Sequence, residues 1–440
     1  MFTKGAQILH WAKNATLAVT DQALISVSNF VLSVILARLL GANEYGAYTL
    51  AFSVFLLLAN VQYALVLEPM SVLGPSLYWE NRHEYLGLLI WVQIVAGITL
   101  VGVLTIVGAL LAWTHFDHAL VSAFKGLAVA APCILLFWLA RGACYLFLRP
   151  SRAVAGSVLY ALCVASGALA LCWGNWLSSS SVFLIMGAGA LLAGIYVLTT
   201  LKPVLASGIL CVRRVTSDHW DYGRWALATG GVQWLSSDIW YLITGAEIGL
   251  AAVGALRAIL NFFLPLSHIL GALRRLVQPV FAAVMSRGSS GAMLAVKQLS
   301  WAFTAVVICY CVAVAISSKA LFRYLYAGQF LDYAFLVPWV CFSVLLTGAY
   351  AACGVGLRAL RAPASVFVAD CFGAVMVLLG LPAAKFFGLP GVVAASSLPP
   401  VVTLISTAFL FRRKVRGAVA GHGSRLPRPA AASAPDGLAG

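Results

Sequence analysis

The chain has 440 residues, of which 62% are hydrophobic and 9% charged, with a formal charge of +15. A soluble domain carries about 25% charged residues, so a water-dispersed globule of this length is excluded. A positive charge of this size raises the question of nucleic acid. The basic residues stand in short loops between apolar runs and no nucleic-acid motif occurs, so no nucleic-acid partner is expected.

Crossing a bilayer takes roughly 20 mostly apolar residues, and such runs recur from about residue 17 to about residue 411. The predicted spans lie near 17–37, 46–68, 86–113, 119–140, 153–173, 181–201, 225–245, 250–273, 299–317, 333–353, 364–384 and 391–411. The connections after the sixth and ninth spans are read as the longest. No small-residue cleavage site follows the first run, which is read as a retained helix.

In chain order, span 1 carries Gln22, Ser26, Asn29 and Ser33 as a stripe at helical spacing, with Asp21 placed at its start. Span 2 carries Thr49, Ser53 and Asn60 on one face and ends at Glu68-Pro69. Span 4 holds Lys125 toward one end and, inside it, Pro132, a candidate hinge or static kink. Span 7 repeats the polar stripe as Thr229, Gln233, Ser236 and Trp240, with Asp238 among them and Gly230-Gly231 as a candidate hinge. Span 8 carries Arg257, Asn261 and His268, and span 11 carries Asp370. Polar groups facing lipid are costly, so these stripes should face the bundle or a wet cavity. Interhelical hydrogen bonding without any substrate is the other reading of each stripe. From about Arg416 the chain turns rich in Gly, Ala, Pro and Ser, which suits a disordered tail.

If the N-terminus is cytoplasmic, all but six of the 28 Lys and Arg residues fall on that side. The exceptions are Arg38, Lys125, Arg257, Lys319, Arg323 and Lys385. This asymmetry predicts that both termini are cytoplasmic. The ten cysteines lie scattered in apolar runs with no CxxC pair, so free buried thiols are expected, with no metal and no cofactor.

The segment LGANEYGAYTLAFSVF, from Leu40 to Phe55, aligns with IGLAAVGALRAILNFF, from Ile248 to Phe263, at a shift of 208 residues. The same shift maps Thr49, Ser53 and Asn60 onto Arg257, Asn261 and His268. Six spans per half give both halves the same orientation, so an axis along the membrane normal with a cavity between the halves is expected. The predicted fold is an all-α polytopic membrane protein of about twelve helices. It divides into a bundle over 1–205, a second over 206–414 and a tail over 415–440.

The ARLLGANEYGAYTLAF segment resembles the opening of Wzx-type O-antigen and exopolysaccharide flippases of the MATE/MOP superfamily. DYGRWALATGGVQWLSSDIWYLITG, LFRYLYAGQF and FFGLPGVVAASSLPP are similar to later parts of that family. The resemblance spans nearly the whole chain through loose motifs. It implies a non-enzymatic MATE-like transporter of the bacterial inner membrane, moving an undecaprenyl-pyrophosphate-linked oligosaccharide by alternating access. It also implies membrane lipid, a polysaccharide polymerase and chain-length proteins as partners.

Such a head group is anionic and polyhydroxylated. Arg257 suits it, because the guanidinium donates two parallel hydrogen bonds to phosphate. Its alternative is an ion pair with Asp238. The expected cavity set is Arg257, Asn261, His268, Thr49, Ser53, Asn60, Gln22, Ser26, Asn29 and Gln233. Asp238 and Asp370 are the candidates for coupling to H⁺ or Na⁺, since desolvation makes an intramembrane carboxylate responsive to a cation. A MATE-like antiporter for organic cations would be expected to carry more acid than base in its cavity. A polymerase or ligase would carry a long outward loop with paired carboxylates, and this chain shows neither.

Overall fold

A computed structural model describes residues 4–205, 211–271, 273, 277, 292–359 and 362–423. Every regular element among them is helical. The chain is therefore an all-α membrane protein, as its composition requires.

Helix α1 (Lys4–Leu39) runs from what is here called the terminal end of the bundle to the opposite, turn end. Helix α2 (Ala42–Gln62) returns, passes through a π-helical turn over Tyr63–Leu67, and continues as α3 (Glu68–Leu77). Then follow α4 (Arg82–Trp113), α5 (His118–Leu146), α6 (Pro150–Trp173) and α7 (Ser179–Leu201). Their ends are fixed by local chemistry. Asp117 accepts from the Ala119 amide at the start of α5. Ser178 and Ser181 form a reciprocal capping box on α7, and Glu44 of α2 accepts from the Ser179 amide at 3.0 Å. Both satisfy amides that a helix start leaves unpaired.

The second half opens with α8 (Val212–Ser237), which breaks at Asp238 and resumes as α9 (Ile239–Glu247). Helix α10 (Leu250–Asn261) bends by 47° into α11 (Leu264–Gly271). The remainder is α12 (Ala292–Tyr326), a 3₁₀ turn over Leu331–Leu336, α13 (Val337–Ala359), α14 (Pro363–Val375), α15 (Gly380–Ala395) and α16 (Leu398–Gly423). Among the described residues nine stretches are long and apolar enough to cross a membrane, and the bent α10–α11 pair makes a tenth. The last of the nine, Ala364–Val415, contains the reversal at Gly388, whose φ of 59° only glycine adopts cheaply. It therefore crosses twice, and α8–α9 completes a twelve-helix path.

Several sequence expectations need correction. The connections read as longest are mostly helix, since α12 continues to Tyr326 and α8 begins at Val212. Helix α16 stays helical to Gly423, beyond the expected start of the tail at 415; residues 424–440 lie outside the described set. Helix α5 runs unbroken through Pro132, and α8 runs unbroken through Gly230-Gly231. The break in span 7 falls seven residues beyond Gly231, at Asp238.

The two chain halves meet most closely at the turn end, where α2 crosses α10. A Cβ placed on Gly46 would lie 1.8 Å from the Leu250 carbonyl oxygen. One on Gly254 would lie 2.8 Å from the Ala42 oxygen. Gly46 and Gly254 are equivalent in the repeat, and this matched pair lets the two helices touch. Around this seam Arg38 donates to the Tyr324 carbonyl at 3.0 Å, and Gln329 to the Leu40 carbonyl at 2.9 Å. The turn end is closed.

Candidate functional site

Below the seam, α10 places Arg257 between the halves. Its guanidinium donates to the Tyr241 hydroxyl at 3.4 Å and lies 5.9 Å from the ring centres of Phe52 and Tyr241. The ion pairs among the described residues are Arg141–Asp21 at 2.8 Å and Arg224–Asp221 at 3.9 Å. Arg257 has no carboxylate at that range, so the pair with Asp238 raised by the sequence does not form. Asp238 accepts instead from the neighbouring Ser237 hydroxyl at 2.6 Å. The guanidinium is thus held by rings and a phenol, with no ion pair among the described residues and Asp238 felt only at longer range.

The residues grouped with Arg257 by helical spacing separate in space. Asn261 is fully buried and donates to Ser33 at 3.0 Å and to the Tyr45 hydroxyl at 2.9 Å, tying α10 to α1 and α2. Its Oδ1 has no partner. Thr49 and Ser53 are buried and donate to the backbone of their own helix, at Tyr45 and Leu50. In this conformation these three therefore pack a dry seam and do not line a cavity. His268 is exposed and leaves their face because the bend after Asn261 breaks the 3.6-residue register. On α1, Gln22 is exposed and donates to Ser26 at 3.4 Å, while Ser26 and Asn29 are half-buried.

Asn60 and Gln233 do reach open space. A cavity of about 500 Å³ lies between the terminal-end parts of α2 and α8, lined by Asn60, Tyr63, Glu68, Asp221, Tyr222, Trp225, Thr229 and Gln233. A second, of about 340 Å³, lies within the second half and also touches Gln233. Its wall includes Ser236, Ser237, Ser343, Thr347, Arg358, Asp370, Ser396, Thr403 and Thr407. Asp370 therefore stands in a hydroxyl-rich chamber, and Asp238 sits at the helix break immediately beside that wall.

Sequence reasoning passed over three features. Asp21, read as the start of a span, is buried and accepts from Arg141 (3.2 and 2.8 Å), from the Tyr145 hydroxyl at 2.6 Å and from Ser157. Arg141, read as a loop residue, is thus the intramembrane partner of that carboxylate. Tyr241 and Tyr45 organise Arg257 and Asn261 but look like ordinary core aromatics in sequence. Finally, the first turns of α8 dock on the first half. His219 bridges the Leu65 carbonyl (2.9 Å) and the Tyr85 hydroxyl (2.6 Å), and Tyr78 donates to Asp218 at 2.5 Å. Burial pushes the Tyr78 phenol up to about 12, with the Asp218 carboxylate adding to the shift, so it stays a proton donor.

No family model matches the chain, and no curated protein matches it. Solved structures do. An inward-facing multidrug resistance MATE family transporter of the MOP superfamily aligns at TM-score 0.73 and 14% identity, over 92% of this chain and 99% of that one. The fold is MATE-like. The lipid II flippase MurJ, in an inward closed conformation, aligns at TM-score 0.69 and 13% identity, over 96% of this chain and 94% of that one. An outward-facing MATE transporter reaches 0.64 at 13% identity, over 96% and 100%.

Proposed function

We propose that the chain is a flippase that moves an undecaprenyl-pyrophosphate-linked oligosaccharide across the bacterial inner membrane. Arg257 carries this reading. A half-buried guanidinium between two helix bundles, with no ion-paired carboxylate among the described residues, keeps a demand for an anion, since a desolvated charge is costly until it is paired. A diphosphate meets that demand in the geometry a guanidinium favours. The same charge disfavours an organic cation beside Arg257; the cavity of about 500 Å³, which Arg257 does not line, carries Glu68 and Asp221 instead.

The excess of Lys and Arg in one set of loops supports an orientation with both termini in the cytoplasm. In that orientation the present conformation is closed outward, with its cavities on the cytoplasmic side, ready to receive a head group. Alternating access would open the α2–α10 seam and expose Thr49, Ser53 and Asn261, which in this state are packed. Their polar side chains would then line the outward-open passage. Asp370 and Asp238, around the hydroxyl-rich chamber of the second half, would bind the coupling H⁺ or Na⁺. No step requires a covalent intermediate, so no catalytic residue is assigned.

The test is Arg257→Ala in a strain that depends on this chain. Surface polysaccharide is expected to be lost while the protein stays inserted at normal level, with the lipid-linked repeat unit stranded in the cytoplasmic leaflet. Normal polymer at normal protein level would remove Arg257 and the proposal with it.

A further inference from the structure

The terminal end of the first half carries a basic face that takes no part in the site around Arg257. Three chain segments build it: the turn before α4, the turn between α5 and α6, and the stretch that follows α7. The ring of Phe147 is their meeting point. The Arg82 guanidinium lies 5.8 Å from its centre and 4.7 Å from that of Trp79, and the His83 ring meets Phe147 edge-on at 4.8 Å. His83 Nδ1 donates to the Lys202 carbonyl at 3.0 Å, and Arg149 donates to the Thr200 carbonyl at 3.3 Å. Arg152 stands one turn past Arg149, its amide bonded to the Arg149 carbonyl at 3.0 Å. Arg82, Arg149, Arg152 and Lys202 are thereby drawn together.

The loop rule alone explains why basic residues stand on this side of the membrane. Three observations go beyond it. First, these cations are not ion-paired. The ion pairs among the described residues join Arg141 to Asp21 and Arg224 to Asp221. Glu80 and Glu84 flank Arg82 in sequence and take part in neither. Second, the cations spend little on the protein. Arg82 donates one hydrogen bond, to the Trp79 carbonyl at 2.9 Å, and Arg149 one, to Thr200. The Arg152 and Lys202 side chains are exposed and make none among the described residues. A guanidinium has five N–H groups, so most remain for an outside acceptor. Third, α4 and α6 both begin here with no side chain capping their first amides. Their positive ends add to the same field.

The apolar surroundings select the kind of anion. Leu148 is 68% exposed between Phe147 and Arg149, Leu205 is 52% exposed and Trp79 is 40% exposed. Tryptophan and exposed apolar side chains at the ends of membrane helices sit where head groups meet acyl chains. A soluble anion would leave these residues unused. A phosphate that carries acyl chains meets the cations and the apolar residues together.

We infer that this face binds the head group of an anionic membrane phospholipid. Arg82, Arg149, Arg152 and Lys202 take the phosphate, and Leu148 and Trp79 take the first part of the acyl chains. The site is separate from Arg257 and independent of the flippase reading. Because three segments contribute, an occupied site ties them together and stabilises the first half.

The test uses the full chain in detergent with an equimolar mixture of phosphatidylglycerol and phosphatidylcholine of the same acyl chains. Native mass spectrometry counts the lipids retained, and the parent should prefer phosphatidylglycerol. A basic residue near the membrane surface is worth about fivefold in binding an anionic lipid. Arg152→Gln changes an exposed side chain that holds no other group in place, and should lower the preference by that factor. Arg82→Gln, Arg149→Gln and Arg152→Gln together should bring it to parity. Arg412→Gln, Arg413→Gln and Lys414→Gln remove the same charge from exposed positions of α16 at the same end, and should leave the preference alone. Equal loss in the two triple variants, or no preference in the parent, would overturn the inference. Excess inorganic phosphate should fail to displace the lipid; displacement would reveal a site for free phosphate and overturn the assignment to a lipid.

Discussion

Gly46→Ala is the most direct probe of the closed seam. The added methyl would sit 1.8 Å from the Leu250 oxygen and 2.6 Å from its carbonyl carbon, where ordinary contacts begin at 3.4 Å. The obstacle is backbone, so no rotamer change relieves it, and α2 and α10 must separate locally by about 1.5 Å. Overpacking of this kind costs about 1–3 kcal/mol. The cost falls on the turn-end-closed state alone, because a state with the seam parted has no such contact. A bias of that size changes the ratio of closed to open molecules by about 5–150-fold. The assay is labelling of a cysteine at position 49, in a background without native cysteines, by a membrane-impermeant maleimide added from the turn end. The parent should be protected, since Thr49 is 2% exposed, and Gly46→Ala should react. Gly231→Ala is the control: a Cβ there meets nothing within 4 Å, so the change should leave labelling alone and raise helix stability slightly. Equal protection in Gly46→Ala and parent, at equal protein level, would refute the idea that this contact is the gate.

Three further outcomes follow from the same geometry. Asp21→Ala or Arg141→Ala alone leaves a buried charge without its partner and should destabilise by about 3–5 kcal/mol, with the double variant recovering part of the loss; thermal unfolding in detergent measures this, and additive losses would contradict it. Asn261→Ala removes two donated hydrogen bonds but leaves Ser33 and Tyr45 bonded to each other at 2.9 Å, so it should cost about 1–3 kcal/mol and bias the seam toward opening, read by the same position-49 labelling. Asp370→Asn keeps the size and hydrogen bonding of a chamber group while removing its charge, and should leave head-group binding intact but abolish the dependence of transport on the ion gradient; an unchanged ion dependence would clear Asp370 of coupling.

Much of the architecture was legible because lipid enforces simple rules. A chain with so few charges in repeated apolar runs of about 20 residues satisfies its backbone as helices, since the other solution, a closed barrel, needs short alternating strands. The repeat at a 208-residue shift was informative for a physical reason as well: Gly46 and Gly254 are small because backbone meets backbone there. What sequence periodicity could not supply was helix continuity. Extending one face from Arg257 through Asn261 to His268 assumes an unbroken helix, and the 47° bend after Asn261 places His268 elsewhere. The same gap hid the Asp21–Arg141 pair, because the two residues are 120 positions apart and each was plausible alone at a helix end.

The same limit explains why the polar stripes carried two readings that the structure separates by depth. At the turn end Ser33, Thr49, Ser53 and the amide nitrogen of Asn261 are consumed by one another and by backbone, and among these groups the Asn261 Oδ1 is left without a partner. Toward the terminal end Asn60 and Gln233 face open volume, and their hydrogen-bonding capacity is available. One stripe on α2 thus serves as glue at one end and as a wet wall at the other. A transporter that rocks must exchange those roles, because parting the α2–α10 seam exposes the buried members to water in the same movement that removes their partners. Residues able to hydrogen-bond in both circumstances are the ones that permit it. Apolar replacements at Thr49 and Ser53 should therefore leave the closed state stable while raising the cost of opening it. Loss of transport with retained or raised thermal stability would carry that signature, and unchanged transport in a Thr49→Val, Ser53→Ala double variant would deny it.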